Sequence, residues 1–107
     1  MIRFALGAAL ALAVGGSAAA EDSGIVIAIK NHQFVPPTVQ IPAGAKVKLV
    51  VRNEDNTTSE FESSDFHREK VVPAGGQVVV FVGPLGPGSY EFFDDFHRDT
   101  RGHLIAK

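Results

Sequence analysis

Through Lys46-Val47-Lys48-Leu49-Val50-Val51 charged and apolar side chains trade places every second position, the period of a strand with one wet and one buried face. Other strand-like runs stand along the chain: the β-branched Ile25 to Ile29, the alternating Thr38 to Ile41, Glu69 to Val72, the buried-type Gln77 to Val82, Tyr90 to Asp94 and His103 to Ala106. Between them stand Pro42-Ala43-Gly44, the polar stretch Asn53 to Thr58, Pro73-Ala74-Gly75 and Pro84-Leu85-Gly86-Pro87-Gly88, all turn chemistry. No ten-residue segment keeps a 3.6-residue apolar period, so helical folds are excluded. The expectation is an all-β domain, a Greek-key β-sandwich or barrel. Both Pro-Ala-Gly tripeptides read as hairpin-type turns ahead of a Val-rich strand.

Residues 1–20 are set apart from this pattern. One early charge, Arg3, precedes an apolar run from Phe4 to Val14, and small residues close the segment at Ala18-Ala19-Ala20. That layout predicts a secretory signal peptide cleaved before Glu21, leaving residues 21–107 as one exported, periplasmic domain. The apolar run is too short for a membrane anchor, which needs about 20 residues. Without Arg3 the remaining chain has nine Lys and Arg against 12 Asp and Glu, interspersed, which offers no nucleic-acid footprint. There is no Cys, so disulfides cannot support this small exported domain; its core, or a metal, must do so. No nucleophile stands beside a base in the pattern hydrolytic catalysis needs.

Ligand-type side chains gather in three places. In Ser59-Glu60-Phe61-Glu62-Ser63, strand geometry sends Glu60 and Glu62 to one face, where two carboxylates repel unless a cation lies between them. In Phe92-Phe93-Asp94-Asp95-Phe96-His97, Tyr90, Phe92 and Asp94 share a core-facing row. A carboxylate closing such a row packs poorly unless something positive meets it, and His97, expected in the following loop, lies near enough to do so. His32 stands near the start of the exported region, followed by Phe34 and Pro36-Pro37. The tetrapeptide Asp-Phe-His-Arg occurs twice, at 65–68 and 95–98. The second copy belongs to the ligand segment; the first reads as a loop with His67 at the surface and Phe66 plugged beneath it.

Together these residues resemble a cupredoxin. Phe34 with Pro37, Pro42-Ala43-Gly44, Val47 and Val51-x-Asn53 are similar to the first half of that fold, and Pro84-Leu85-x-Pro87-Gly88-x-Tyr90-x-Phe92 through His97 to Gly102 resembles its last hairpin. The resemblance places Asp94 at the Cys ligand position and His97 at the His three residues on. It puts Thr100 or Arg101 at the Met position, and the upstream His position at or beside Glu60. A blue-copper centre needs thiolate, imidazoles and a weak axial ligand, so this chain cannot build one.

The segment from Asn53 through Glu60-Phe61-Glu62-Ser63 to Arg68-Glu69-Lys70, with Phe92-Phe93-x-x-Phe96-His97, resembles a narrower group. These are the periplasmic cupredoxin-like components of bacterial iron uptake, similar to the cupredoxin domain of EfeO-type and FtrB-type proteins. The resemblance implies iron or copper handling beside an inner-membrane iron permease, with ferroxidase activity as an extension. Carboxylates in place of sulfur harden a site toward Fe(II), Fe(III) or Cu(II). The expected metal ligands are Glu60, Glu62, Asp94 and His97, with His32 or Asp95 added at the same or an adjacent site. Two other readings remain open: a copper chaperone or buffer without a redox role, and a metal-free β-sandwich binding module.

Overall fold

The computed structural model describes residues 24–107, so the signal-peptide assignment lies outside the described residues. Nine strands follow one another: β1 (Ile25–Lys30), β2 (Gln33–Val35), β3 (Thr38–Ile41), β4 (Val47–Asn53), β5 (Ser59–Ser63), β6 (Arg68–Val72), β7 (Gln77–Val82), β8 (Gly88–Asp94) and β9 (His97–Ala106). They form two sheets, one ordered β2-β1-β4-β7 and the other β3-β9-β8-β5-β6. β1 pairs parallel with β4, and β3 parallel with β9, the remaining pairs being antiparallel. The all-β Greek-key sandwich expected from the sequence is the fold found.

Alternation accounts for the sandwich. In β4, Val47, Leu49, Val51 and Asn53 face inward while Lys48 and Arg52 face out. Inward residues of both sheets meet in one core that includes Ile27, Ile29, Leu49, Val51, Phe61, Phe92 and Leu104, all fully buried. Phe34, Phe61 and Phe92 stack edge-on or tilted, with centroids 4.8 Å (Phe34–Phe92) and 5.1 Å (Phe61–Phe92) apart, a geometry aromatic pairs prefer. Gly102 sits opposite Phe92, where a Cβ would lie 2.6 Å from that ring and 2.7 Å from the Pro37 carbonyl oxygen, so no larger residue fits without movement. Between the sheets' outer strands, Arg68 Nε on β6 donates to the Phe81 carbonyl of β7 at 2.8 Å.

Two expectations need correction. Pro42-Ala43-Gly44 and Pro73-Ala74-Gly75 are not hairpin turns: each carries the chain from one sheet to the other, β3 to β4 and β6 to β7. Their glycines take positive φ (77° and 70°), and the arch they build is a turn motif that strand patterning alone does not distinguish from a hairpin. His97 is not in a loop. It opens β9, directly opposite Asp94, because a register irregularity at Phe93/Asp94 lets the hairpin close tightly there. The sequence also left β2 unassigned; it is a three-residue strand joined to β1 by a two-residue turn, Asn31-His32.

Candidate metal centre

The ligand-type residues gather at one end of the sandwich, on either side of the β5–β8 pair. The inward row of β8 is Tyr90, Phe92 and Asp94, and Asp94 is fully buried. Its Oδ1 accepts from the backbone N–H of Glu60 and of Phe96, each at 3.0 Å, and its Oδ2 lies 3.0 Å from His97 Nδ1. Burial would raise the Asp94 carboxyl, but the Ser59 hydroxyl beside it, the Glu60 N–H, the His97 ring and the Phe96 N–H outweigh this and hold it below its ordinary value. An ionised carboxylate only accepts, so His97 Nδ1 carries the proton and its Nε2 lone pair is left for another partner. Ser59, on the core side of Glu60 at the expected upstream ligand position, is fully buried, and its hydroxyl closes no hydrogen bond of regular geometry.

His32 comes to the same place from the other end of the chain. Its ring stacks on His97 with centroids 4.3 Å apart and planes tilted by 33°. Asn31 and His32 both hold positive φ (53° and 57°), the conformation of a tight two-residue hairpin turn that Asn-Gly would fill without strain. Asp55 fixes this turn: its carboxylate accepts from Asn31 N–H at 2.7 Å and from His32 N–H at 2.9 Å, and lies 3.7 Å from His32 Nδ1. Burial would raise the Asp55 carboxyl, yet those two N–H groups and the nearby His32 and His97 rings bring it below its usual value. Thr100, buried at the expected Met position, donates its hydroxyl to the His32 carbonyl. Asp94 thus hydrogen-bonds the His97 ring, an arrangement that orients metal-binding histidines, while Asp55 holds the His32 backbone and only neighbours its ring. The two rings line a cavity of about 640 Å³ that also takes in Phe34, Pro37, Arg98 and Arg101.

On the outward face of the same sheet lies a second group. Glu60, Glu62 and Asp95 each bring a carboxylate oxygen to within 4.8 Å of the others, and among the described residues this is the cluster of three or more ligand side chains that could hold an ion. Glu69 stands directly across from Glu62 on β6. Burial, a hydrogen bond with Asp95 and the charges of Glu69, Glu62 and Asp95 push the Glu60 carboxyl up to about 7. Three oxygen donors in such mutual repulsion fit a hard cation.

The six residues singled out by sequence therefore do not form one group. Glu60, Glu62 and Asp95 come together outside the sheet; His32 and His97 come together at the cavity. Asp94 lies behind His97, its acceptor positions turned to backbone amides and imidazole. Glu60 joins the two groups, because its N–H donates to Asp94, its C=O accepts from Asp95 N–H at 2.9 Å, and its side chain belongs to the outer trio. Sequence reasoning missed Asp55. A turn needing two left-handed residues at Asn31-His32, with an acidic residue in a following loop to cap it, was the available signal. His67 is exposed on the β5–β6 turn with φ 56°, Phe66 is buried beneath it, and Asp65 accepts from Glu91 N–H.

The two-sheet fold and this end hairpin define a cupredoxin-like domain. The chain belongs to the cupredoxin-like domain family, whose model matches residues 3–106. It is 47% identical over 83 residues to an uncharacterized protein of Rickettsia prowazekii (strain Madrid E), an alignment covering 77% of this chain and 66% of that protein's length. Its fold is similar to amicyanin from Paracoccus versutus, with a TM-score of 0.65 and 18% identity over 80% of this chain and 83% of that one. It is also similar to a purple cupredoxin from Nitrosopumilus maritimus, with a TM-score of 0.60 and 18% identity over 78% of this chain and 99% of that one. A thiolate-copper centre does not fit the residues present, since Asp94, Ser59 and Thr100 line the inner positions and the chain has no Cys.

Proposed function

We propose that this protein is an exported, periplasmic metal-binding component of a ferrous-iron uptake system. In this reading it holds Fe(II) as cargo at Glu60, Glu62 and Asp95 and copper at His32 and His97, then passes iron to an inner-membrane permease. The observation that carries this reading is the outward carboxylate trio, three oxygens within 4.8 Å with Glu60 pushed up to about 7, a repulsion that a bound cation relieves. The iron-uptake assignment rests further on the resemblance of the Glu60-Phe61-Glu62-Ser63 segment to EfeO-type and FtrB-type proteins. Exposed acidic groups at the rim steer Fe(II) toward the trio.

Copper, held at His32 and His97, would supply a one-electron acceptor for Fe(II), which is the ferroxidase extension of this reading. The test is metal analysis of protein purified without chelator, followed by anaerobic mixing of Cu(II)-loaded protein with one equivalent of Fe(II). Glu60→Gln with Glu62→Gln should remove iron, and His97→Ala should remove copper. Iron and copper stoichiometries that stay at the parent value in these variants would end the proposal. Loss of the Cu(II) electron paramagnetic resonance (EPR) signal on Fe(II) addition supports the ferroxidase extension; a persistent signal leaves a copper buffer as the better description.

A further inference from the structure

On one outer face of the sandwich no strand position of the described residues carries a carboxylate. Alternation sends Val26 and Ala28 of β1, Lys48, Val50 and Arg52 of β4, and Gln77, Val79 and Phe81 of β7 away from the core. Val26, Val50 and Val79 stand in one row across the three strands, each opposite the next. Phe81 adjoins that row, and Val26, Val79 and Phe81 are large apolar side chains left exposed. Single apolar residues on a surface mean little, but a contiguous patch marks a contact site.

Cations flank the patch at both ends of β4. Lys46 holds its Nζ 4.8 Å from the centre of the Phe81 ring, and Arg52 Nε donates to the neutral side chain of Gln77 at 3.3 Å. Among the described residues neither Lys46 nor Arg52 stands in an ion pair. Lys30 closes β1 beside Glu54, whose N–H bonds the Ile29 carbonyl at 2.8 Å, so the charge at that corner is offset. The outer face of the other sheet has the opposite sign, with Glu60, Glu62, Glu69 and Glu91 on its strands and Arg101 among them.

This charge pattern decides what covers the patch. Two copies set face to face would bring like charges together. The same face laid on the acidic sheet of a second copy would stack molecules in an open row and cover the carboxylate trio. The cavities lined by His32 and by Glu62 both open elsewhere, so the patch has no groove to seat a peptide. We propose that the face of β1, β4 and β7 docks on an anionic phospholipid surface. Val26, Val79 and Phe81 meet the acyl boundary, and Lys46, Lys48 and Arg52 lie among the phosphates. Docked in this way, the domain turns the carboxylate trio of the opposite sheet toward the water. The inference stands apart from the metal assignments of the preceding section.

The test uses residues 21–107, which hold all nine strands, so that the apolar residues 4–14 take no part. The probes are vesicles of phosphatidylglycerol in phosphatidylcholine and vesicles of phosphatidylcholine alone. The expected result is cosedimentation with the anionic vesicles that weakens as salt rises. A cation near such a surface contributes about fivefold in affinity, so Lys46→Gln/Arg52→Gln should bind about 25-fold more weakly. Urea unfolding of that double variant, with its midpoint at the parent value, shows that the fold is kept. The chain has no Trp, so Phe81→Trp places a single fluorophore in the patch, and its emission should shift to the blue on binding. Phe93→Trp, on the opposite sheet, should show no shift. No binding by the parent protein, or equal binding to both kinds of vesicle, overturns the proposal. So does a double variant that binds as the parent does, or a shift at Phe93→Trp as large as that at Phe81→Trp.

Discussion

Replacing Asp94 separates what the buried carboxylate does for the fold from what it does for His97. Asp94→Ala leaves the N–H groups of Glu60 and Phe96 without their acceptor. A buried donor stripped of its partner costs about 1–3 kcal/mol, so two of them predict a loss of about 2–6 kcal/mol. Asp94→Asn keeps an oxygen for both and gives up only the charge assistance, about 1 kcal/mol per bond, partly offset by not burying a charge. The two variants should differ by roughly 2 kcal/mol or more, equivalent to about 10 °C in Tm for a domain of this size. Urea unfolding of the metal-free proteins at pH 7 measures the difference. Acid adds a second readout. The folded carboxyl is held below its ordinary 3.8, so its stabilisation is present above about pH 4 and is lost as pH falls through the lower folded value. Wild type should therefore weaken below about pH 4 more steeply than Asp94→Asn. Asn would also place an N–H donor against His97 Nδ1, forcing that nitrogen to accept and moving the ring proton to Nε2. Asp94→Asn should then lose copper while remaining folded. Equal stabilities for the two variants, or full copper binding by Asp94→Asn, would refute the reading of Asp94 as a buried acceptor that sets the His97 tautomer.

Glu60, raised to about 7, behaves in the opposite sense: the folded state holds its proton more tightly, so stability declines as pH rises from the unfolded value of 4.5 toward 7. Glu60→Gln should flatten that decline in metal-free protein and weaken iron binding, both measurable by denaturation and metal titration across pH 5–8. His32→Gly relieves the left-handed strain of the Asn31-His32 turn and should raise metal-free stability by about 1 kcal/mol, while copper affinity falls. Gly102→Ala forces a methyl group into Phe92 and the Pro37 carbonyl and should cost about 1–3 kcal/mol in urea unfolding.

The strands were legible because one face of each is buried: Lys48 and Leu49, or Glu60 and Phe61, reveal their sides by chemistry alone. Connections were harder. Pro-Ala-Gly reads alike in a hairpin and in an arch, and only the sheet to which the next strand belongs tells them apart. The site was legible as residue types but not as groups. Glu60 and Glu62 are two apart on a strand, so their shared face follows from the period. Whether Asp94 sides with them or with His97 depends on which way a buried carboxylate turns, and the amides of Glu60 and Phe96 decide that. His32, Asp55 and His97 are brought together by β1–β2 and β8–β9 closures that leave no local periodic mark.

The parallel pairing of β3 with β9 has a kinetic meaning. It joins Thr38–Ile41 to a strand that ends the domain, and the Thr100 hydroxyl reaches the His32 carbonyl across 68 positions of chain. Contacts of such sequence separation must wait for the intervening chain, and folds that depend on them form slowly. The imidazole pair depends on the same long-range closure and cannot form before β9 is in place. If copper is held at His32 and His97 as proposed, a chain whose last strand is not yet in place presents those two imidazoles on separate segments and binds it weakly.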